Sequence, residues 1–370
     1  MKRDIPFFPY PQMFLAHEAE LSQVVLDVLR RGAYILQRDL LEFEADLARY
    51  LGVKHAIGVA DGTMGLLLGL MAAGIEAGDE VLVPSHTFVA SAAAVHFAGA
   101  TPVLVDCGRD HLMDPASAER AMTPRTRAIM PVHLNGRCTA MEPLLALAQR
   151  EGLLIVEDAC QALGARYQGR FAGTFGAFGA FSFYPAKTLG AFGDAGALVT
   201  DDDALAERVR LLRDHGRGPD GQVQLWGFNA RLDNVQAAVL KFKLARYDQD
   251  VQRRREIAAQ YHQRLKEVPG LLLPPGPEED PRHFDVYQNY EIEAERRDAL
   301  RAHLEAHGVR TILQWGGHTI HQFAKLGLRA EVPYTERMTG RFLMLPLHTA
   351  LSDDDVAYIC DRIVAFYAAS

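Results

Sequence analysis

The chain has 370 residues, with 39 Lys+Arg against 47 Asp+Glu for a formal net charge of -8, and 49% of it is hydrophobic. That length supports two or three domains sharing substantial cores, and the composition excludes a disordered, collagenous or fibrous chain. The acidic balance, with no basic block denser than Arg253-Arg254-Arg255, argues against a nucleic-acid-binding protein.

Residues 1–14 are interrupted by prolines and lack the apolar core of a signal peptide. No stretch reaches the roughly 18 consecutive apolar residues that a membrane helix needs. The four cysteines (Cys107, Cys138, Cys160, Cys360) are scattered without a C-x-x-C pair, which reads as reduced thiols in a cytoplasmic protein with no metal site. His303 and His307 are four apart on a helix but do not form H-E-x-x-H, and they read as exposed helix residues.

In chain order, residues 17–29 and 40–50 read as amphipathic helices separated by a turn at Gly32. A strand at 56–59 runs into Asp61-Gly62-Thr63 and a helix from about Met64. Strands follow at 80–83 and 102–105, around a helix at 91–98. Further strands are predicted at 128–132, 153–156, 180–183 and 197–200. Strands alternating with helices imply parallel pairing in a sheet covered on both faces. After Leu240 the texture changes. A long charged helix is expected over 241–268, a strand over 286–292, a helix over 296–307 and a strand over 309–313. A closing helix spans 353–367, with Ser352 as its N-cap. The expected fold is α/β, with a large domain over 1–240 and a smaller α+β domain over 241–370.

Three features can carry chemistry. Asp61-Gly62-Thr63 lies where a strand ends and a helix begins, which suits a phosphate or serves as an ordinary cap. The run Leu153-Leu154-Ile155-Val156 ends in Glu157 and Asp158. Adjacent strand residues face opposite ways, so one acid, Asp158, is placed at the ligand end of a parallel sheet and Glu157 is the solvated or structural member. The run Phe181-Ser182-Phe183-Tyr184-Pro185-Ala186-Lys187 delivers a lysine into a glycine-rich stretch, 190–196, where an amine pKa can fall as nucleophilic lysines require. Together they match the contacts of pyridoxal phosphate: a helix N-terminus for its phosphate, an Asp for its ring nitrogen, a Lys for its aldehyde.

Through these runs the chain resembles the DegT/DnrJ/EryC1/StrS family of sugar aminotransferases, which have the fold-type I architecture. Further matching runs are Gly32-Ala33-Tyr34-Ile35-Leu36, Pro84-Ser85-His86-Thr87-Phe88, Pro131-Val132-His133-Leu134, Glu157-Asp158-Ala159-Cys160-Gln161 and Asn229-Ala230-Arg231-Leu232-Asp233. The resemblance implies a mostly parallel sheet between helices and pyridoxal 5′-phosphate as cofactor. It implies that Lys187 carries the cofactor aldehyde, Asp158 pairs with the ring nitrogen, and Gln161 bonds the ring hydroxyl oxygen. It also implies that His86 stacks on the ring, that Gly62, Thr63 and Ser182 hold the phosphate, and that Asn229 reaches the phosphate in the neighbouring subunit of a homodimer with shared sites. Tyr34, His133 and Tyr184 lie in runs that approach substrate. Trp315 and His318 lie in the segment Leu313-Gln314-Trp315-Gly316-Gly317-His318, which departs from the family's usual Tyr-x-x-Pro-Leu-His texture. Asp61 replaces the usual Ser or Asn beside the phosphate and is expected to point away or cap the helix.

The implied reaction moves an amino group from an amino acid, glutamate foremost, to a keto group of a nucleotide-linked deoxysugar by ping-pong kinetics. Two alternatives are a sugar dehydratase relative, against which Lys187 argues because those enzymes typically carry His there, and a non-catalytic regulatory protein of the same fold.

Overall fold

The computed structural model describes residues 3–369. A seven-stranded sheet forms its centre: β1 (His55–Val59), β2 (Glu80–Pro84), β3 (Thr101–Val105), β4 (Thr126–Ile129), β5 (Leu154–Asp158), β6 (Phe178–Ser182) and β7 (Gly196–Thr200). Their spatial order is β1-β7-β6-β5-β4-β2-β3. From β6 through β5, β4, β2 and β3 all pairings are parallel, whereas β7 runs antiparallel to both β6 and β1. The fold is thus α/β with a mostly parallel sheet. The exception arises because a loop without a crossover helix connects β6 to β7, so the chain returns in the opposite direction.

Period-two alternation divides the sheet between two cores. Leu82 and Ile129 face one, with Leu40, Phe43 and Leu47, while Val81, Val83 and Ala128 face the other, with Leu66, Leu68 and Leu70. The first core is covered by α2 (Arg38–Leu51), which follows α1 (Glu18–Arg31), and the second by α3 (Gly62–Ala72) and α4 (Val89–Phe97). Helix α3 is apolar on all sides and lies against the sheet through glycines. A Cβ on Gly69 would lie 2.4 Å from the Phe178 ring, and one on Gly65 would lie 3.3 Å from Ala180 Cβ. This close approach sets the N-terminus of α3 beside the carboxyl ends of β5 and β6.

The expected long helix over 241–268 is two helices, α5 (Asn234–Leu244) and α6 (Tyr247–Leu265), broken at Ala245 and Arg246. Tyr247, at the start of α6, is buried and donates its hydroxyl to Leu163 O, which anchors the break on the large sheet's side of the molecule. A second sheet pairs β8 (Leu271–Leu272), β9 (Tyr290–Ala294) and β10 (Phe342–Leu345), all antiparallel, under α7 (Arg297–Ala306) and α8 (Asp353–Ala368). Ser352 caps α8 by accepting from Asp355 N–H, with Asp355 reciprocating. The expected strand over 309–313 forms only two isolated bridges, Val309 with Ile5 and Ile312 with Met344. Among the described residues no helix is long and apolar enough to cross a membrane.

Candidate active site

The carboxyl ends of β1, β5 and β6 open on one cavity of ≈ 660 Å³. At the end of β1 the chain enters α3. Asp61 is extended (φ -165°) and accepts Met64 N–H on its side chain at 2.8 Å. It is therefore the helix N-cap, and its carboxylate is committed to the helix. The amides of Gly62 and Thr63 belong to the first turn, which has no intrahelical acceptors, and both residues line the cavity. A Cβ on Gly62 would lie 2.7 Å from Cys160 Sγ and 2.9 Å from Ser182 Cβ. Glycine at this position keeps open a cradle of amides and the Ser182 hydroxyl, at the positive end of a helix dipole.

Strand β5 ends in the two acids, facing apart as alternation requires. Glu157 is buried away from the cavity, where it accepts from Gly173 N–H at 2.7 Å, Gly176 N–H at 2.6 Å and His133 Nε2 at 2.8 Å. Asp158 lines the cavity while only 5% exposed. Its Oδ2 accepts from Ser91 Oγ at 2.7 Å and its Oδ1 from Cys160 N–H at 3.1 Å. Together the two bonds fix the direction in which the carboxylate points.

Strand β6 ends at Ser182, and the following turn places Lys187, whose amide donates to Tyr184 O at 2.8 Å. Gln288 brackets the lysine, donating to Ala186 O at 2.8 Å and accepting from Thr188 N–H at 2.7 Å. Burial lowers the Lys187 amine pKa from its usual value, opposed by Cys160 and Asp158 nearby. Thr188 bonds the Tyr247 hydroxyl through its own at 2.7 Å.

The cavity thus gathers Gly62, Thr63, Asp158, Gln161, Ser182 and Lys187, with Tyr184 and Trp315 on its rim. Five expected residues lie elsewhere. His86 is fully buried beneath the wall, bonded to Glu291 at 3.0 Å, so it cannot stack on a ligand in the cavity. Phe88, two residues on at the start of α4, lines the cavity with 51% of its surface exposed. The chain turns after Pro84, and the side chain that emerges over the cavity is the aromatic one. His133 is also fully buried; Thr139 N–H donates to its Nδ1 at 3.0 Å, which leaves the proton on Nε2 for Glu157. His318 is exposed beside Phe323. Tyr34 is 54% exposed and does not line the cavity. Asn229 is exposed in a bridge with Asp214, away from this chain's own cavity.

Sequence reasoning missed Phe88, Gln288, Asn289, Gln314 and Asp194, which all line the cavity. Phe88 was legible as the aromatic of its run. The amides carry no distinctive local signal.

The residues present fit pyridoxal phosphate. An open amide cradle, a carboxylate held by two donors and a lysine with a depressed pKa share one cavity, as that group's three polar ends require.

A model of the DegT/DnrJ/EryC1/StrS aminotransferase family matches residues 16–364. The dTDP-3-amino-3,4,6-trideoxy-alpha-D-glucose transaminase of Streptomyces venezuelae is 42% identical over 370 residues, covering 98% of this chain and 97% of that protein. The crystal structure of S. venezuelae DesV in complex with a ketimine intermediate superposes with a TM-score of 0.94 at 41% identity, covering 98% of both chains. NtdA from Bacillus subtilis with bound cofactor PMP superposes with a TM-score of 0.91 at 28% identity, covering 99% of this chain and 85% of that one.

Proposed function

Because this chain belongs to the DegT/DnrJ/EryC1/StrS aminotransferase family, we propose that it transfers an amino group from glutamate to a keto group of a nucleotide-linked deoxysugar. Pyridoxal phosphate is the cofactor in this reading. The observation that carries it is the convergence of Lys187, Asp158 and the Gly62–Thr63 helix start on one cavity. The transaminase name of the S. venezuelae relative, at near-complete coverage, supports the sugar substrate.

Bound there, pyridoxal phosphate supplies an aldehyde that takes the amino group and a protonated ring that draws off electron density. The chain's own groups divide the remaining work. The amides of Gly62 and Thr63 and the Ser182 hydroxyl hold the phosphate. Asp158 holds a proton on the ring nitrogen, with Ser91 and Cys160 N–H orienting the carboxylate. Lys187 Nζ, its pKa lowered by burial, would take the α-proton of the donor as general base and return it at the other end of the transfer. Phe88, which lines the cavity, would pack against the ring and exclude water from it. Trp315 forms the wall on which the sugar rests.

Asn229 acts in trans in this reading. It is exposed and remote from its own cavity, and Trp226, three residues before it, is 95% exposed, with Val223 at 66%. An apolar patch of that kind suits a subunit interface. A homodimer with shared sites accounts for both features.

The test is to load the protein as the amine form of the cofactor and challenge it with a panel of nucleotide-linked 3-keto and 4-keto sugars, following the visible spectrum. Glutamate should reverse the change. A protein that binds cofactor but shows no spectral response to any amino acid or keto sugar would be a binder, not a transaminase.

A further inference from the structure

Glu291 lies on β9, fully buried, and takes no part in the proposed transfer. Segments far apart in sequence meet at its carboxylate. Oε1 accepts from His86 Nε2 at 3.0 Å, from His111 Nδ1 at 2.8 Å and from Asn135 Nδ2 at 3.1 Å. His111 donates its other ring nitrogen to Glu293 Oε1 at 3.3 Å, so both nitrogens carry protons and His111 is the counter-ion. Burial works against that charge, but the bonds to the two carboxylates outweigh it and push the His111 pKa to about 9.

Asn135 passes this arrangement to the cavity. With Nδ2 on the carboxylate, its Oδ1 faces the other way and accepts from Asn289 Nδ2 at 3.0 Å and Gln314 Nε2 at 2.5 Å. Its backbone N–H donates to Gln161 Oε1 at 2.9 Å, and Asn289 Nδ2 adds a second donor to the same atom at 3.2 Å. An amide oxygen that receives two N–H groups leaves its nitrogen for the cavity, so Gln161 presents Nε2. A second link runs through His86, whose ring packs against Trp315 at 5.1 Å. Three residues of the network hold left-handed backbone: His111 (φ 63°), Asn135 (φ 57°) and Trp315 (φ 49°). Such strain in non-glycine residues persists where surrounding contacts over-determine it, and it clusters at functional sites.

We propose that Glu291 is a positioning residue: its buried carboxylate fixes the Asn135 amide and thereby aims Gln161 Nε2 at the ring hydroxyl oxygen of the cofactor. The proposal rests on pyridoxal phosphate being the ligand of the cavity. His86, His111 and Glu291 also lie within metal-ligating distance of one another. However, Oε1 already receives three N–H donors, and a metal would have to displace protons that the hydrogen bonds use.

The experiment is a spectroscopic pH titration of the cofactor-loaded protein. A donor on the ring oxygen draws off negative charge and weakens that oxygen's hold on the proton shared with the Lys187-linked nitrogen. Losing the donor therefore raises the pH midpoint of the visible band. Gln161→Ala should raise it. Glu291→Gln and Asn135→Gly should raise it by less, glycine accepting the φ of residue 135 without strain. Glu291→Gln combined with Gln161→Ala should shift it no further than Gln161→Ala alone, because both lesions act through one bond. Should Glu291→Gln fail to fold, Asn135→Gly carries the same test in the same double-mutant comparison. Midpoints that stay at the wild-type value in the variants of Glu291 and Asn135 would overturn the proposal. So would full additivity in the double mutant, or one equivalent of zinc in purified wild type that Glu291→Gln loses. Absence of any visible band in wild type would overturn the cofactor reading itself, so the two failures are told apart.

Discussion

Phe88 and His86 are two residues apart, and the structure assigns them opposite kinds of work. Phe88→Ala removes a ring that is half exposed in the cavity, so the folded protein loses only part of a side chain's burial, about 1 kcal/mol. The cofactor loses an aromatic partner worth about 0.5–1.5 kcal/mol. At 1.4 kcal/mol per tenfold, its dissociation constant should rise roughly 2- to 12-fold. His86→Ala empties a fully buried site and withdraws a donor from the Glu291 carboxylate. A hydrogen bond to a charged group contributes about 1.5–3 kcal/mol, and the cavity adds to its loss. The total should be about 3 kcal/mol or more of stability, with a smaller effect on cofactor affinity. Urea denaturation of the cofactor-free proteins separates stability from ligand linkage, and a fluorescence or absorbance titration gives the affinity. If Phe88→Ala lowered the urea midpoint more than His86→Ala and left cofactor binding intact, the placement of both side chains would be refuted.

Asp158→Ala should lower kcat by several decades and weaken the cofactor, since removing one member of a buried charge pair costs about 3–5 kcal/mol; near-normal turnover would move the role to another acid. The Lys187 amine is lowered in the folded, cofactor-free chain. The unfolded chain then binds more protons between that lowered pKa and the ordinary lysine value. The lysine's contribution to stability should rise with pH across that window, and Lys187→Met should remove that part of the slope in urea titrations at several pH values. Trp315→Ala should impair the keto-sugar half-reaction in single-turnover measurements and spare the glutamate half, whereas His318→Ala, on an exposed side chain outside the cavity, should change neither; equal damage from both would contradict the geometry. Mixing Asn229→Asp with Lys187→Ala, each inactive alone, should restore about a quarter of wild-type activity after random exchange in a two-fold dimer; background activity despite demonstrated subunit exchange would place both residues in one site.

The local chemistry was legible in the order of the residues alone. Period-two and period-3.6 patterning located all seven strands of the central sheet, because each pattern reports which face of one element is buried. The acids after the apolar run of β5, the Gly62 turn and the lysine of the glycine-rich stretch were legible because a strand end, a helix start and a proline turn each constrain the next few residues of the chain. Even the separate fates of Glu157 and Asp158 came from alternation. Features that depend on distant segments emerged with the three-dimensional fold. The direction of β7 depends on a loop that returns the chain instead of crossing over. The break between α5 and α6 depends on Tyr247 reaching Leu163 O. That Phe88 and not His86 faces the cavity, and Trp315 and not His318, depends on how the chain turns after leaving regular structure, where no periodicity constrains a side chain. Glu291 looked like an ordinary acid of a predicted strand. Its surroundings come from residues 156, 180 and 205 positions away along the chain, and contacts at that separation leave no trace in any local window of the sequence.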